Sequence, residues 1–365
     1  MSTSCYHLIT NPGLEHAVIR EVLTPGSVWE PLLGEPPTPG EPMSGVVEIR
    51  STGPHKAIGA ALLQLRTIYH AVEIRATSTL TPQALSDRRV LTAELTAALD
   101  QGDFPELQGG ASLAVRCRRR GTHPLQSPDI EREAGSALVR RYRCPVRLSA
   151  PDITVRVEVN GSALTAGILR TPPEMDHRYH WLYRPRVTLN TVVAAALVQW
   201  ERRETTCSGA LLDPFCGSGT ILLEAAQHSP RTLYGGDNNP EAIAGTRANL
   251  AHNGLGNAAM VRCSDATRVD QFTRVWADRN ITGIVCNPPF GVRLGKGVNF
   301  HRFYRDFLTG AAAVLPSGGI LIMMSSRRRG VLNEVLHNVP HWDPPQVQLI
   351  ETTGVFPGIF FLRRR

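Results

Sequence analysis

Asn287-Pro288-Pro289-Phe290 follows the apolar run 281–286, which reads as a short buried strand. Consecutive prolines fix φ and remove two N–H donors, so carbonyl oxygens at this strand end stay free to accept. Asn287 adds a side-chain carbonyl. Two such acceptors converging on an exocyclic amine can hold both of its N–H groups and aim the nitrogen lone pair at an incoming methyl group. Phe290 offers a face for a flat base. In isolation the tetrapeptide also reads as a proline-rich turn closing a strand with an aromatic plug.

The choice between those readings rests on an upstream strand, turn and helix. Residues 210–212 are apolar, Asp213 ends the run, Gly217 and Gly219 bracket a tight turn, and Thr220 opens an apolar-faced helix. A glycine turn at a strand's carboxyl end is where doubly wound sheets bind ligands. A phosphate loop would require Lys-Ser/Thr after the last glycine, and a dinucleotide fingerprint a third glycine where Leu222 stands. A phosphate-free ligand approached by glycine backbone remains, namely S-adenosylmethionine. Asp237 ends the next strand, about where an acid is expected to hold ribose hydroxyls, and Asp265, after the run 259–263, could accept from an adenine amine. Each aspartate alone is as well explained as a cap or turn residue. Their recurrence at three successive strand ends favours a single pocket.

In order, DPFCGSGTILLEAA, GGDNNPEA, SDA and NPPFG resemble the successive motifs of class I S-adenosylmethionine-dependent methyltransferases acting on a nucleobase amine. Within that superfamily the sequence is most similar to the THUMP-containing RNA guanine-N2 methyltransferases. The upstream stretches 115–123, 127–142 and 151–159 resemble the closing half of a THUMP domain. The resemblance implies an α/β chain: a Rossmann-like catalytic domain with a mostly parallel, doubly wound sheet, behind an α+β ferredoxin-like plus THUMP RNA-binding module. Expected boundaries are 1–69 for the ferredoxin-like piece, 70–170 for THUMP, 171–187 for a linker and 188–365 for the catalytic domain.

By the same resemblance the donor site comprises Asp213, Phe215, Gly217, Gly219, Thr220, Asp237 with Asn238, Asp265 with Ala266, and Asn287; Thr188 and Asn190 line its methionine end. Asn287, Pro288, Pro289 and Phe290 form the catalytic set, although Phe290 stands where tyrosine is frequent in the family. The expected reaction is direct transfer of the sulfonium methyl to the N2 amine of a guanosine, for which no strong base is needed. Guanosine 6 of tRNA is the expected target. Ribosomal RNA guanosine, tRNA guanosine 10 and DNA adenine-N6 are alternatives, as is a noncatalytic RNA-binding role; a nucleotide oxidoreductase fails at the missing third glycine.

The net charge of +7, from 39 Lys and Arg against 32 Asp and Glu, favours a polyanionic partner, expected to be tRNA rather than DNA. Arginine dominates the clusters, which suits bidentate phosphate contacts. Arg116, Arg118, Arg119, Arg120, Arg327 and Arg328 are the candidate RNA contacts. Seven cysteines form no C-x-x-C pair and no His-Glu-x-x-His occurs, so no metal is expected and a reduced, cytoplasmic setting is. No apolar run reaches about eighteen residues, which argues against a membrane span. A monomer is expected.

The elements that must position these residues read as follows. Residues 6–10 form a strand, and Asn11-Pro12 opens a helix by cap and first-turn chemistry. Residues 24–42, rich in Pro and Gly, form a surface loop before a strand at 45–50. A helix at 54–66, a strand near 71–76 and a helix beginning near Pro82 follow. Residues 171–185 form a Pro- and aromatic-rich connector packed on the catalytic domain. The catalytic sheet is expected to end in an antiparallel pair near 346–352 and 359–362.

Overall fold

The computed structural model describes residues 3–205, 208–227, 231–289, 299–325 and 329–365. The first half of the chain runs β1 (Ser4–Ile9), α1 (Glu15–Val22), β2 (Thr38–Pro39), β3 (Val46–Ser51), α2 (His55–Leu62), β4 (His70–Thr79), α3 (Arg88–Gln101), β5 (Leu113–Arg120), α4 (Ser127–Tyr142), β6 (Ile153–Asn160) and β7 (Ala163–Leu169). Its strands form one sheet in the order β2-β3-β1-β4-β7-β6-β5. The ten-residue β4 pairs with β1 on one side and β7 on the other, so strands from residues 1–69 and 70–170 share a sheet. Alternation decides the faces: Leu113, Val115, Val155 and Val157 enter a core under α3 and α4. Arg116, Arg118 and Arg120 therefore share the opposite face of β5, and Arg119 takes the helix side.

The second half runs α5 (Thr191–Glu204), β8 (Ala210–Asp213), α6 (Thr220–Ala226), β9 (Leu233–Asp237), α7 (Pro240–His252), β10 (Ala259–Cys263), α8 (Val269–Trp276), β11 (Ile281–Cys286), α9 (Phe300–Val314), β12 (Ile320–Ser325), α10 (Arg329–Asn338), β13 (Gln346–Leu349) and β14 (Gly358–Arg363). The sheet order is β10-β9-β8-β11-β12-β14-β13. Strands β8 to β12 pair in parallel, and β14 pairs antiparallel with both β12 and β13, the closing pair the sequence predicts. Both faces are covered: Leu211, Val285 and Ile322 enter one apolar core, Leu212, Ile284 and Met323 the other. The chain leaves β8 for β9 and later returns to β11 on its other flank. That reversal opens a crevice at the strands' carboxyl ends.

Three expectations for the first half are corrected. Asn11 is not a helix cap: α1 starts at Glu15 with Leu14 before it. The Asn11 side chain instead donates to the Glu351 carbonyl (2.9 Å) and accepts from the Tyr69 hydroxyl (2.7 Å), tying the first turn to the far end of the chain. Residues 24–42 are more than a surface loop, because Trp29 and Leu32 are buried in the core with Tyr6 and Val47. The helix expected near Pro82 begins at Arg88, where Asp87 caps it by accepting from Arg89 N (2.7 Å) and Val90 N (3.3 Å). No helix among the described residues is long and apolar enough to cross a membrane.

Candidate functional site

A cavity of about 660 Å³ opens at the carboxyl ends of β8, β9, β10 and β11. Each strand end delivers its motif residue there: Asp213, Asp237, Asp265 and Asn287 all line it, with Phe215, Gly217, Thr220, Asn238, Ala266, Thr188, Pro288 and Pro289. Gly219 and Asn190 are not in the lining. Gly219 precedes α6 with φ 85°, a conformation a side chain rarely adopts, and an added Cβ would stand 2.9 Å from Thr246 Cγ2. Asn190 caps α5, accepting from Val192 N (2.8 Å) and donating to Asp176 (3.1 Å). Phe290, Arg327 and Arg328 lie outside the described residues.

Backbone geometry explains the turn. Asp213 Oδ1 accepts from Phe215 N (3.1 Å), and Asp237 accepts from Gly217 N (3.0 Å) and Asn239 N (2.9 Å), so two strand-end carboxylates hold the loop between them. Thr246 and Asn249, both fully buried on α7, donate to Gly217 O (2.8 Å) and Ser218 O (2.9 Å). Asn249 also accepts from Leu182 N and Tyr183 N, which lays the connector over the turn and brings Tyr183 into the cavity wall. Gly245 makes this possible, because an added Cβ would lie 2.2 Å from the Tyr183 ring. Sequence reading missed these roles for Thr246, Asn249 and Tyr183. An Asn on an apolar helix was the one available signal.

The electrostatics do not prepare a charged nucleophile. Burial pushes the Asp213 carboxyl well above the ordinary aspartate range; the Phe215 N–H opposes this, and the Asp237 charge adds to it. Burial likewise pushes the thiols of Cys216 and Cys286 far up, leaving them protonated and poorly nucleophilic. Asp265 uses Oδ1 for Thr267 N (2.9 Å) and Thr267 Oγ1 (2.6 Å), and Oδ2 makes no hydrogen bond among the described residues. Asn287 Oδ1 is buried with no hydrogen-bond partner among the described residues. An orphaned acceptor in a cavity wall costs about 1–3 kcal/mol until a donor reaches it.

Arg116, Arg118 and Arg120 stay on the module's sheet. Arg116 donates to Leu148 O (2.7 Å); Arg120 donates to Ser44 O (2.7 Å) and pairs with Glu351 at 3.6 Å; Arg119 donates to Gly121 O (2.7 Å) and Gln126 (3.0 Å) on the other side. Cys5, His7 and Glu48 also meet on this sheet, their ligand-capable atoms within 4.8 Å. His7 Nε2 lies 3.7 Å from the Glu48 carboxylate while burial pushes the His7 imidazole toward its neutral form, and burial, with the Glu48 charge, pushes the Cys5 thiol up to about 12.

Sequence and structure comparisons agree with this layout. A family model for an RMKL-like methyltransferase domain matches residues 182–342, and a THUMP-domain model matches 93–168. A tRNA (guanine(6)-N2)-methyltransferase of Thermus thermophilus is 32% identical over 361 residues, 97% of this chain and 98% of that protein. A protein of the same name from Archaeoglobus fulgidus is 27% identical over 276 residues, 66% of this chain and 67% of that one. The crystal structure of TrmN from Thermus thermophilus is similar with a TM-score of 0.77 at 30% identity, covering 99% of this chain and 100% of that one.

Proposed function

From the premise that this chain belongs to the THUMP-containing, S-adenosylmethionine-dependent tRNA guanine-N2 methyltransferases, we propose that it methylates the exocyclic N2 of guanosine 6 near the tRNA acceptor stem. The observation that carries the reading is Asn287, which lines a cavity together with three strand-end aspartates and whose buried Oδ1 has no hydrogen-bond partner among the described residues.

S-adenosylmethionine supplies an electrophilic methyl group. The residues present fit it: Asp237 would hold the ribose, Asp265 Oδ2 the adenine amine, and the Gly217–Gly219 backbone the close approach. Asp213, whose own carboxylate is disfavoured by burial, shapes the turn. Thr188 and Tyr183 would close the cavity from the connector side.

On the acceptor side, the guanine amine is a poor nucleophile because its lone pair is delocalised into the ring. Asn287 Oδ1 and the Pro288 carbonyl would accept its two N–H groups, favouring a more tetrahedral nitrogen. Prolines at 288 and 289 present no N–H to compete. Phe290 would stack on the base, which must leave its helix to enter. No general base is required where the proton leaves after the methyl has arrived. Recognition of the acceptor region falls to the first-half sheet, whose Arg116, Arg118 and Arg120 share one face, as suits structured RNA read by shape and phosphate. The enzyme is taken to act as a monomer in the cytoplasm.

Methyl transfer from labelled S-adenosylmethionine to unmodified tRNA, followed by nucleoside analysis and position mapping, tests the reading. N2-methylguanosine at position 6 is expected. Label appearing in ribosomal RNA alone, or at another tRNA guanosine, would replace the substrate while keeping the chemistry.

A further inference from the structure

The mouth of the cavity carries a turn that donor binding does not use. Between β13 and β14, Thr352 and Val355 exchange backbone hydrogen bonds (2.9 and 3.0 Å) around Thr353 and Gly354, whose φ values are 48° and 78°. A β-branched residue in the left-handed region is strained, and such strain persists where its surroundings over-determine it.

Those surroundings belong to the RNA-binding half. Glu351 N donates to Pro12 O (2.8 Å), Asn11 donates to Glu351 O (2.9 Å), and the Glu351 carboxylate lies 3.6 Å from Arg120 and accepts from Gly354 N (3.3 Å). One residue thus braces the turn against both the arginine-bearing sheet and its own tip. On the other side Thr352, Thr353, Val355 and Pro357 line the cavity. Phe356, between two of those residues, stands 55% exposed, and Val355 43%. Phe356 itself is not part of the lining, so a strained, doubly anchored turn leads directly into an exposed aromatic residue at the edge of the cavity.

The geometry points to Phe356 as an RNA-contacting residue that stacks on the base next to the target guanosine when that guanosine enters the cavity; this rests on the tRNA reading above. Turning a nucleotide out of a helix leaves its neighbour with an uncovered face. An aromatic side chain replaces the lost stacking whatever the base. Through Glu351 the turn that leads into Phe356 is tied to Arg120, on the strand carrying the proposed phosphate contacts.

The test compares wild type with Phe356→Ala, Phe356→Trp and Phe356→Leu in the full-length protein. Four quantities are read: S-adenosylhomocysteine affinity by calorimetry, equilibrium affinity for unmodified tRNA with S-adenosylhomocysteine saturating, and KM and kcat for tRNA methylation. The alanine variant is expected to lose roughly ten- to a hundredfold in tRNA affinity and KM. Tryptophan should retain both and leucine should not, with S-adenosylhomocysteine affinity equal across the series. Unchanged tRNA affinity in the alanine variant, or rescue by leucine equal to tryptophan, would overturn the proposal. If wild type methylates no tRNA, the substrate reading falls, and the affinity series still decides the role of Phe356.

Discussion

Two buried carboxyl groups flank the start of α6, and they live in opposite surroundings. Asp213, at the end of β8, is 1% exposed, meets no cation among the described residues, and is pushed by burial toward its neutral form. Glu224, one turn into α6, is 0% exposed and accepts from Arg66 (2.8 Å) and Arg178 (3.0 Å). Around Glu224 the polar groups are matched. Arg66 also donates to the Tyr179 hydroxyl (2.6 Å), Tyr179 donates to Leu223 O (3.0 Å), and Arg178 donates to Arg66 O (2.7 Å). The nearby Glu21 accepts from Arg66 N (2.8 Å) and Thr67 N (3.0 Å). This network joins the first half, the connector and the catalytic domain. The cavity differs in keeping hydrogen-bonding capacity in reserve, at Asn287 Oδ1 and Asp265 Oδ2. A junction satisfies itself, whereas a site leaves groups for its ligand.

Removing the junction's acid should have the largest effect. Glu224→Ala leaves the half-buried Arg66 and Arg178 without their counter-charge, so a loss of about 3–5 kcal/mol is expected in denaturant unfolding. A loss below about 1 kcal/mol would show that the two arginines reach water and that the network is not closed. Removing the site's acceptor should do the reverse. Asn287→Ala should leave donor affinity nearly intact, keep or raise stability because an orphaned acceptor is removed, and lower single-turnover methylation about a hundred- to a thousandfold, or about 2.7–4 kcal/mol. Turnover near wild type would break the assignment of Asn287 to the amine.

Asp213 sharpens the contrast through pH. Its folded-state pKa is raised above the ordinary value of 3.8, so its favourable contribution is complete below that value and is lost as pH rises toward the folded pKa. Asp213→Asn keeps an oxygen for Phe215 N without the charge. The variant should gain on wild type as pH rises above about 4, by at most about 1.4 kcal/mol per pH unit until the folded pKa is passed. A stability gap that stays constant from about pH 4 to 8 would place a cation near Asp213 after all. Arg118→Glu should act least on the catalytic domain, leaving donor affinity unchanged while the salt dependence of tRNA binding flattens by about one to two in log–log slope. An unaltered slope would move the RNA contacts to another face.

Legibility in the sequence followed the distance over which each feature is built. The strands ending at Asp213, Asp237 and Cys286 were readable because apolar runs, strand-end acids and glycines follow each other within about ten residues. The helix start at Arg88 was missed because Pro82 was read as a first-turn proline, whereas in the structure Asp87 caps the helix. Trp29 was missed because the stretch 24–42 around it is rich in Pro and Gly, which predict turns but say nothing about what folds over them.

The sequence by itself determined the strand-turn-helix unit around Gly217 and Gly219 and the proline-locked strand end at Asn287-Pro288-Pro289. Both depend on φ restriction, missing N–H groups and local periodicity, which act within a few residues wherever the chain goes. Tertiary structure alone decided that α7 clamps the glycine turn through Thr246 and Asn249, and that Glu224 collects arginines from residues 66 and 178. It also decided that Glu351 braces a cavity-lining turn against Asn11 and Arg120. These are pairings between groups tens to hundreds of residues apart. Their partners are selected by which polar atoms remain unsatisfied once the two sheets and their cores have closed.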